Sequence, residues 1–208
     1  MQCSHNELEM TLRKAVIGAG FTVGTAVEAA RAGLWLCRHD CDGAGAVLAG
    51  VGRPPATPTC AQTAAGWLFA KTQAVVAGAA ALDHVLADAG GAAAVCDDID
   101  VPLLLIGFAG DAAERTGRTL AVDCEGRSLV ISPRMAHAVA AAWAGEKRMT
   151  LRCAEATQDG EAPGEPLSRI SVNGQTWREI LDLAARTYVP ASDASRLHGA
   201  GAGLTDND

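Results

Sequence analysis

The sequence predicts an α+β fold, with a helical N-terminal half packed on a small antiparallel sheet and further helices. Three observations carry that prediction. Helix-capping residues followed by apolar positions three and four apart fill the first half. After Gly117 the apolar period shortens to two, the period of strands. Helices come first and strands later, without the regular alternation of a doubly wound sheet.

Ser4 and Glu7 have capping-box spacing, and Leu8, Leu12, Ala15 and Ala19 then share a helix face until Gly20. Thr25 with Glu28 repeats the signal, and Ala26, Ala30, Leu34 and Cys37 continue it. The chain breaks at Asp40–Gly43, and a short helix follows to Val51. Arg53–Pro58, reading RPPATP, is a linker. Ala61–Ala70 and Ala74–Ala87 read as alanine-rich helices, the second with Val75, Ala79, Leu82 and Leu86 on one face and a stop at Gly90–Gly91. Leu103–Phe108 suits either a buried strand or a helix. Pro102 in a first turn, Asp97, Asp98 and Asp100 at a positive helix end and Gly117 as a stop favour the helix.

Leu120, Val122 and Cys124 alternate with polar residues, Glu125–Gly126–Arg127 turns the chain, and Leu129 and Ile131 alternate back, so Thr119–Ile131 is a hairpin. Ser132–Pro133 opens a helix with Met135, Val139, Ala142 and Trp143, stopped by Gly145. Met149, Leu151 and Cys153 form a strand, and Gln158–Pro166 an acidic, glycine-rich loop. Ile170 and Val172 form a last short strand that turns at Asn173–Gly174. Thr176 and Glu179 then box a helix with Trp177, Ile180, Leu181, Ala184 and Tyr188 on one face. At 208 residues this makes one domain, with a helical region over 1–117, an α+β region over 118–189 and a tail over 190–208.

The apolar share of 49% is that of a globular protein. A net charge of -7 with no basic run argues against nucleic acid and against an anionic membrane as partner. Three lysines against fourteen arginines, with abundant alanine and glycine, fit the coding bias of a GC-rich bacterial genome. The start MQCSHNELEM lacks the basic and apolar blocks of a signal peptide, and Ala74–Leu82 and Val101–Ala109 are too short to span a bilayer. Seven cysteines without such a signal point to free thiols in a reducing cytoplasm. Cys3, Cys60, Cys96, Cys124 and Cys153, scattered among apolar neighbours, read as buried small hydrophobes.

Cys37, His39 and Cys41 offer three soft ligands, but the C-x-H-x-C spacing fits no common zinc site and puts His39 on another helix face, so no metal is expected. Asp97, Asp98 and Asp100 suit a hard cation less well than a helix N-terminus. No dinucleotide-binding glycine fingerprint, phosphate-binding loop or nucleophile elbow occurs, so no cofactor is expected.

The run His39-Asp40-Cys41-Asp42-Gly43, with Arg31 and Arg38 on the helix before it, resembles the His-Asp-Ser-His-Gly run of the malate/L-lactate dehydrogenase family that lacks a Rossmann fold. The family's second histidine, functional there, is Asp42 here, so the resemblance does not imply hydride transfer in that form. Over most of its length the chain resembles an uncharacterised family of bacterial, alphaproteobacterial proteins of unknown function. The pieces that carry this are NELEMTLRKAVIGAG, DVPLLL with its following helix, and RTYVPASDASRLHGAGAG. That resemblance implies no activity, and it implies that the tail belongs to the protein.

The tail carries the remaining chemistry. Ser192 or Ser195 offers a hydroxyl, His198 a base, and Asp193 or Asp206 an orienting carboxylate. Arg196 can grip a carboxylate or phosphate in a fork, and Gly199, Gly201 and Gly203 let backbone N–H groups approach an anion. The leading expectation is a small-molecule enzyme or ligand-binding protein with a small anionic ligand under the tail. The alternative is a non-catalytic accessory protein whose tail docks on a partner or, as a homo-oligomer, on a second copy.

Overall fold

The computed structural model describes residues 1–88, 91–133, 146–154 and 169–188. A short strand, β1 (Gln2–Cys3), leads into α1 (His5–Gly18). The capping box is formed: Ser4 Oγ accepts from the Glu7 N–H at 3.2 Å, and Glu7 Oε2 accepts from the Ser4 N–H at 3.4 Å. α2 (Val23–Arg38) starts a turn earlier than its apolar pattern suggested. Its cap is Thr22, which accepts from the Thr25 N–H at 3.2 Å, so Thr25 is already helical. α3 (Gly43–Gly50) follows a tight bend.

The expected helix over 61–70 is a hairpin, β2 (Thr59–Thr63) and β3 (Gly66–Ala70). Gly66 sits at φ +126, closed to helix, and Phe69 faces inward while its neighbours are only half-buried. α4 (Ala74–Ala87) then crosses to β4 (Ala93–Asp97), which pairs parallel with β3. The N-terminal half is therefore not wholly helical; besides β1 it holds β2, β3 and β4, with one βαβ crossover.

α5 (Pro102–Thr116) takes the expected form, with Pro102 in its first turn and Gly117 at φ +69 as its cap. The acids before it serve elsewhere. Asp97 ends β4 and lies 3.4 Å from Arg148. Asp100 accepts from the Ala74 N–H at 2.8 Å, which caps α4, and pairs with Arg53 at 2.6 Å. Gln73 ties down the 53–58 linker, donating to the Arg53 carbonyl at 3.2 Å and accepting from the Ala56 N–H at 3.0 Å.

The hairpin at 119–131 is present as β5 (Leu120–Cys124) and β6 (Arg127–Ile131). Glu125 at φ +46 and Gly126 at φ +78 give the doubly left-handed turn that matches strand twist. β7 (Arg148–Cys153) pairs with both β4 and β5. The main sheet runs β2-β3-β4-β7-β5-β6, mixed through its one parallel pair. β8 (Ile170–Ser171) pairs instead with β1, making a separate two-stranded antiparallel sheet. α6 (Gly174–Ala185) is capped by Asn173, whose Oδ1 accepts from the Gln175 N–H at 2.8 Å. Asn173–Gly174 is thus a helix start rather than a strand turn, and Thr176 lies inside the helix. The expected helix after Pro133 and the acidic loop 158–166 lie outside the described residues.

The protein is α+β. α4 and α5 lie on the main sheet, α2 packs on the far side of α5 with α1 and α3 against α2, and α6 packs on α1 and α3. From Pro102 to Gly110, α5 is consequently apolar on every side, with Leu104, Leu105, Ile106, Phe108 and Ala109 all buried, whereas Asp111, Glu114 and Arg115 in its last turns form ion pairs. Of the face predicted for α6, Trp177, Ile180 and Ala184 are buried, whereas Leu181 and Tyr188 point outward. Cys3, Cys96 and Cys124 are buried, but Cys153 is half-buried and Cys60 is exposed on β2. No helix among the described residues is long and apolar enough to cross a membrane.

Candidate functional site

Two segments far apart in sequence wall one cleft of about 430 Å³: the α2–α3 bend, from Cys37 to Ala44, and the strip Arg169–Asn173. The β1–β8 pairing holds the second wall in place, with Cys3 opposite Ile170 and the N-terminal ammonium donating to the Val172 carbonyl at 2.9 Å.

The bend has a local cause. His39 and Cys41 both return their N–H groups to the Leu36 carbonyl at 3.0 Å, and Asp40 takes up φ +57. That left-handed angle, tolerated best by Asp, Asn and Gly, reverses the chain. Asp42 then caps α3, accepting from the Gly45 N–H at 2.8 Å. The tight return brings α3 onto α2: a Cβ on Gly43 would stand 2.0 Å from the Gly33 carbonyl oxygen. Asp42, Asn173 and hence the N-terminal ends of α3 and α6 all border the cleft.

The thiols and histidine of the CRHDC run do not converge. His39 stacks on Trp35 with ring centroids 4.0 Å apart, and its Nδ1 meets the Trp35 carbonyl at 2.8 Å. Cys41 Sγ donates to the His39 carbonyl at 3.4 Å. Burial pushes the Cys37 thiol up to about 11, against hydrogen bonds from the Ala44 and Gly43 backbone that favour the thiolate. Cys37 is therefore a protonated wall of the cleft at neutral pH, not a nucleophile. Among the described residues no three His, Cys, Asp or Glu side chains are grouped to hold a metal.

The cleft has both signs of charge. Asp40 and Asp42 stand on one wall and Arg169 on the other. Arg169 forms no ion pair and no side-chain hydrogen bond among the described residues. That distinguishes it from the arginines of a second hollow, of about 520 Å³, on the β5–β6–β7 surface. There Arg152 meets Asp123 at 2.6 Å, Arg148 meets Asp97 at 3.4 Å, and Arg127 pairs with Glu146. Those guanidiniums are already committed to carboxylates, so that hollow is a salt-bridged surface.

The sequence-based candidates Ser192, Asp193, Ser195, Arg196, His198, Gly199, Gly201, Gly203 and Asp206 all lie outside the described residues. The structure describes where the tail leaves the body. Lys14 Nζ donates to Tyr188 Oη at 3.1 Å and stands 4.9 Å from the ring centroid, fixing the end of α6 against α1. In the sequence Asn173 reads as a turn, and Arg169 and Ser171 carry no functional signal. Asn173 carried a legible helix-cap signal; Arg169 carried none, since nothing in its neighbourhood announces the bend that it faces from the other end of the chain.

Residues 3–52 match a family described as "Protein of unknown function (DUF3726)". That match includes the Cys37–Ala44 wall and excludes Arg169–Asn173. No curated protein matches the sequence. Among solved structures, malate dehydrogenase from Entamoeba histolytica is similar, with a TM-score of 0.46 and 11% identity over 59% of this chain. The likeness spans 38% of that enzyme's chain.

Proposed function

We propose that the protein is a bacterial, cytoplasmic small-molecule enzyme or ligand-binding protein that holds a small carboxylate in the cleft between Cys37–Ala44 and Arg169–Asn173. The tail closes over it, with Arg196 and the backbone of Gly199, Gly201 and Gly203 adding anion contacts, and Ser195, His198 and Asp206 as candidate reacting groups.

The observation that carries this reading is Arg169, a guanidinium on a cleft wall without an ionic partner among the described residues. A guanidinium presents its donors in a rigid fork that matches a carboxylate. The N-terminus of α6, capped by the neutral Asn173, adds partial positive charge at the same cleft. Asp40 and Asp42 oppose a multiply charged phosphate, and they favour a carboxylate that also carries a hydroxyl or amino group to donate to them. Chain length permits the tail's role: α6 starts at the cleft and runs about 18 Å away from it, and the eight residues that follow Tyr188, ending at Arg196, reach about 26 Å when extended.

A thermal-shift screen tests the reading, with carboxylates, hydroxy acids, amino acids and phosphates applied to the whole chain and to a chain ending at Val189. Hydroxy or amino acids should stabilise the whole chain, and the shortened chain should lose most of the shift. If no compound stabilises the whole chain, or both respond equally, the tail does not belong to a site. The tail would then be read as an element that docks on a partner or on a second copy.

A further inference from the structure

β2 is one end of the main sheet, and all five of its residues are exposed. It carries none of the devices that usually blunt an edge strand: no charge, no proline and no bulge interrupts Thr59-Cys60-Ala61-Gln62-Thr63. β6, at the opposite end, carries Arg127, paired with Glu146.

The register of the hairpin says which backbone groups face outward. Thr63 and Gly66 close a two-residue turn, so they exchange both backbone bonds. Ala61 and Thr59, paired with Leu68 and Ala70, turn their N–H and C=O toward β3 in the same way. Cys60 and Gln62 turn theirs away from the sheet, and neither finds a further backbone partner among the described residues. The outward groups are thus placed symmetrically about Ala61, in a segment whose ends are both threonine.

We propose that two copies of the chain pair through β2, antiparallel, about a two-fold axis at Ala61, joining their main sheets into one. Cys60 and Gln62 then exchange backbone bonds with Gln62 and Cys60 of the second copy, which satisfies every outward group of the strand at once. Ala61 meets its own copy at the axis in the closer, non-hydrogen-bonded spacing, where a methyl group fits. Thr59 meets the second copy's Thr63, a cross-strand pairing that favours association. A strand without charge imposes no like-charge repulsion on meeting itself, and the same patch serves both copies, as a closed two-fold interface requires.

The test reads mass and register separately, on the full chain. Light scattering on the eluting protein should give twice the chain mass. Gln62→Pro removes an outward N–H without breaking a bond to β3, and Ala61→Lys places two ammonium groups on the axis; each should halve the mass while the circular dichroism is kept. In a Cys60→Ser background, Ala61→Cys should form an intermolecular disulfide under mild oxidation, because residues facing each other across the axis fall within disulfide reach. Thr63→Cys in that background should not, since it faces Thr59. A monomer at the highest attainable concentration overturns the proposal. So does a dimer that survives both edge variants, or one that cross-links at 63 rather than 61.

Discussion

The indole of Trp35 lies directly on the backbone of Gly110: a Cβ added there would come 2.1 Å from Trp35 Cε2. α2 and α5 meet at this point, and Gly107 repeats the approach one turn earlier against the Ala32 carbonyl. Gly110→Ala should destabilise the protein by about 1–3 kcal/mol, the usual cost of overpacking a filled core. Urea unfolding measures it. An unchanged midpoint would mean that the indole can tilt away, and His39, stacked on it, would then have to follow.

Trp177 is buried where α6 joins the helical layer, whereas Leu181, one turn on, is exposed. Trp177→Ala should cost about 3–5 kcal/mol, the range for a buried large aromatic. Leu181→Ala should stay within about 0.5 kcal/mol of the parent. Equal effects at the two positions would show the buried face to be assigned wrongly.

Much of the fold was legible because some residues permit one conformation. Pro102 and Gly117 bracket α5, and the Glu125–Gly126 pair leaves little choice but a tight hairpin. The misses cluster where alanine dominates. Ala61–Ala70 reads as a helix, because alanine has no branched or aromatic side chain to mark a strand and the period-two signal there rests on Trp67 and Phe69 alone. The candidate cleft was half legible. The break at Asp40–Gly43 marks the bend and the strand at Ile170–Val172 marks the second wall, but nothing in the sequence marks β1, a strand of two residues, as the element that pairs with that wall.

Asp123 and Arg152 should shape the acid limb of stability. Burial alone would raise the Asp123 carboxyl, but the Arg152 and Ser128 hydrogen bonds and the Arg152 charge together outweigh it and hold it below the usual carboxylate range. A group with a depressed folded pKa contributes stability that is complete above its unfolded pKa and is lost as the pH falls through the folded one. Asp123→Asn should therefore lower the melting temperature at neutral pH and narrow the difference from the parent below about pH 4. A difference that stays constant across that range would show that the pair does not titrate with folding.

The cysteines should separate sharply in reactivity. Burial pushes Cys37 up to about 11 and Cys96 up to about 12, so both stay protonated and shielded at neutral pH. Cys60 is exposed. Timed alkylation read by mass spectrometry should modify Cys60 first, with Cys37 and Cys96 reacting only on unfolding. Early loss of Cys37 would mean that the cleft opens far enough to expose its floor.

If Arg169 and Arg196 grip one ligand, their contributions should be both large and coupled. A charge-assisted hydrogen bond to a carboxylate is worth about 1.5–3 kcal/mol, so Arg169→Ala and Arg196→Ala should each weaken binding roughly tenfold or more. Arg178, exposed on α6 and bonded to its own helix at Gly174 and Gln175, is the control and should change nothing. Two guanidiniums on one carboxylate do not act independently, so the double variant should lose less than the sum of the single losses. Calorimetric titration of the stabilising acid against the parent and these variants measures this. Additive losses would place the two arginines on separate anions, and a loss at Arg169 alone would leave the cleft as a site in which the tail has no share.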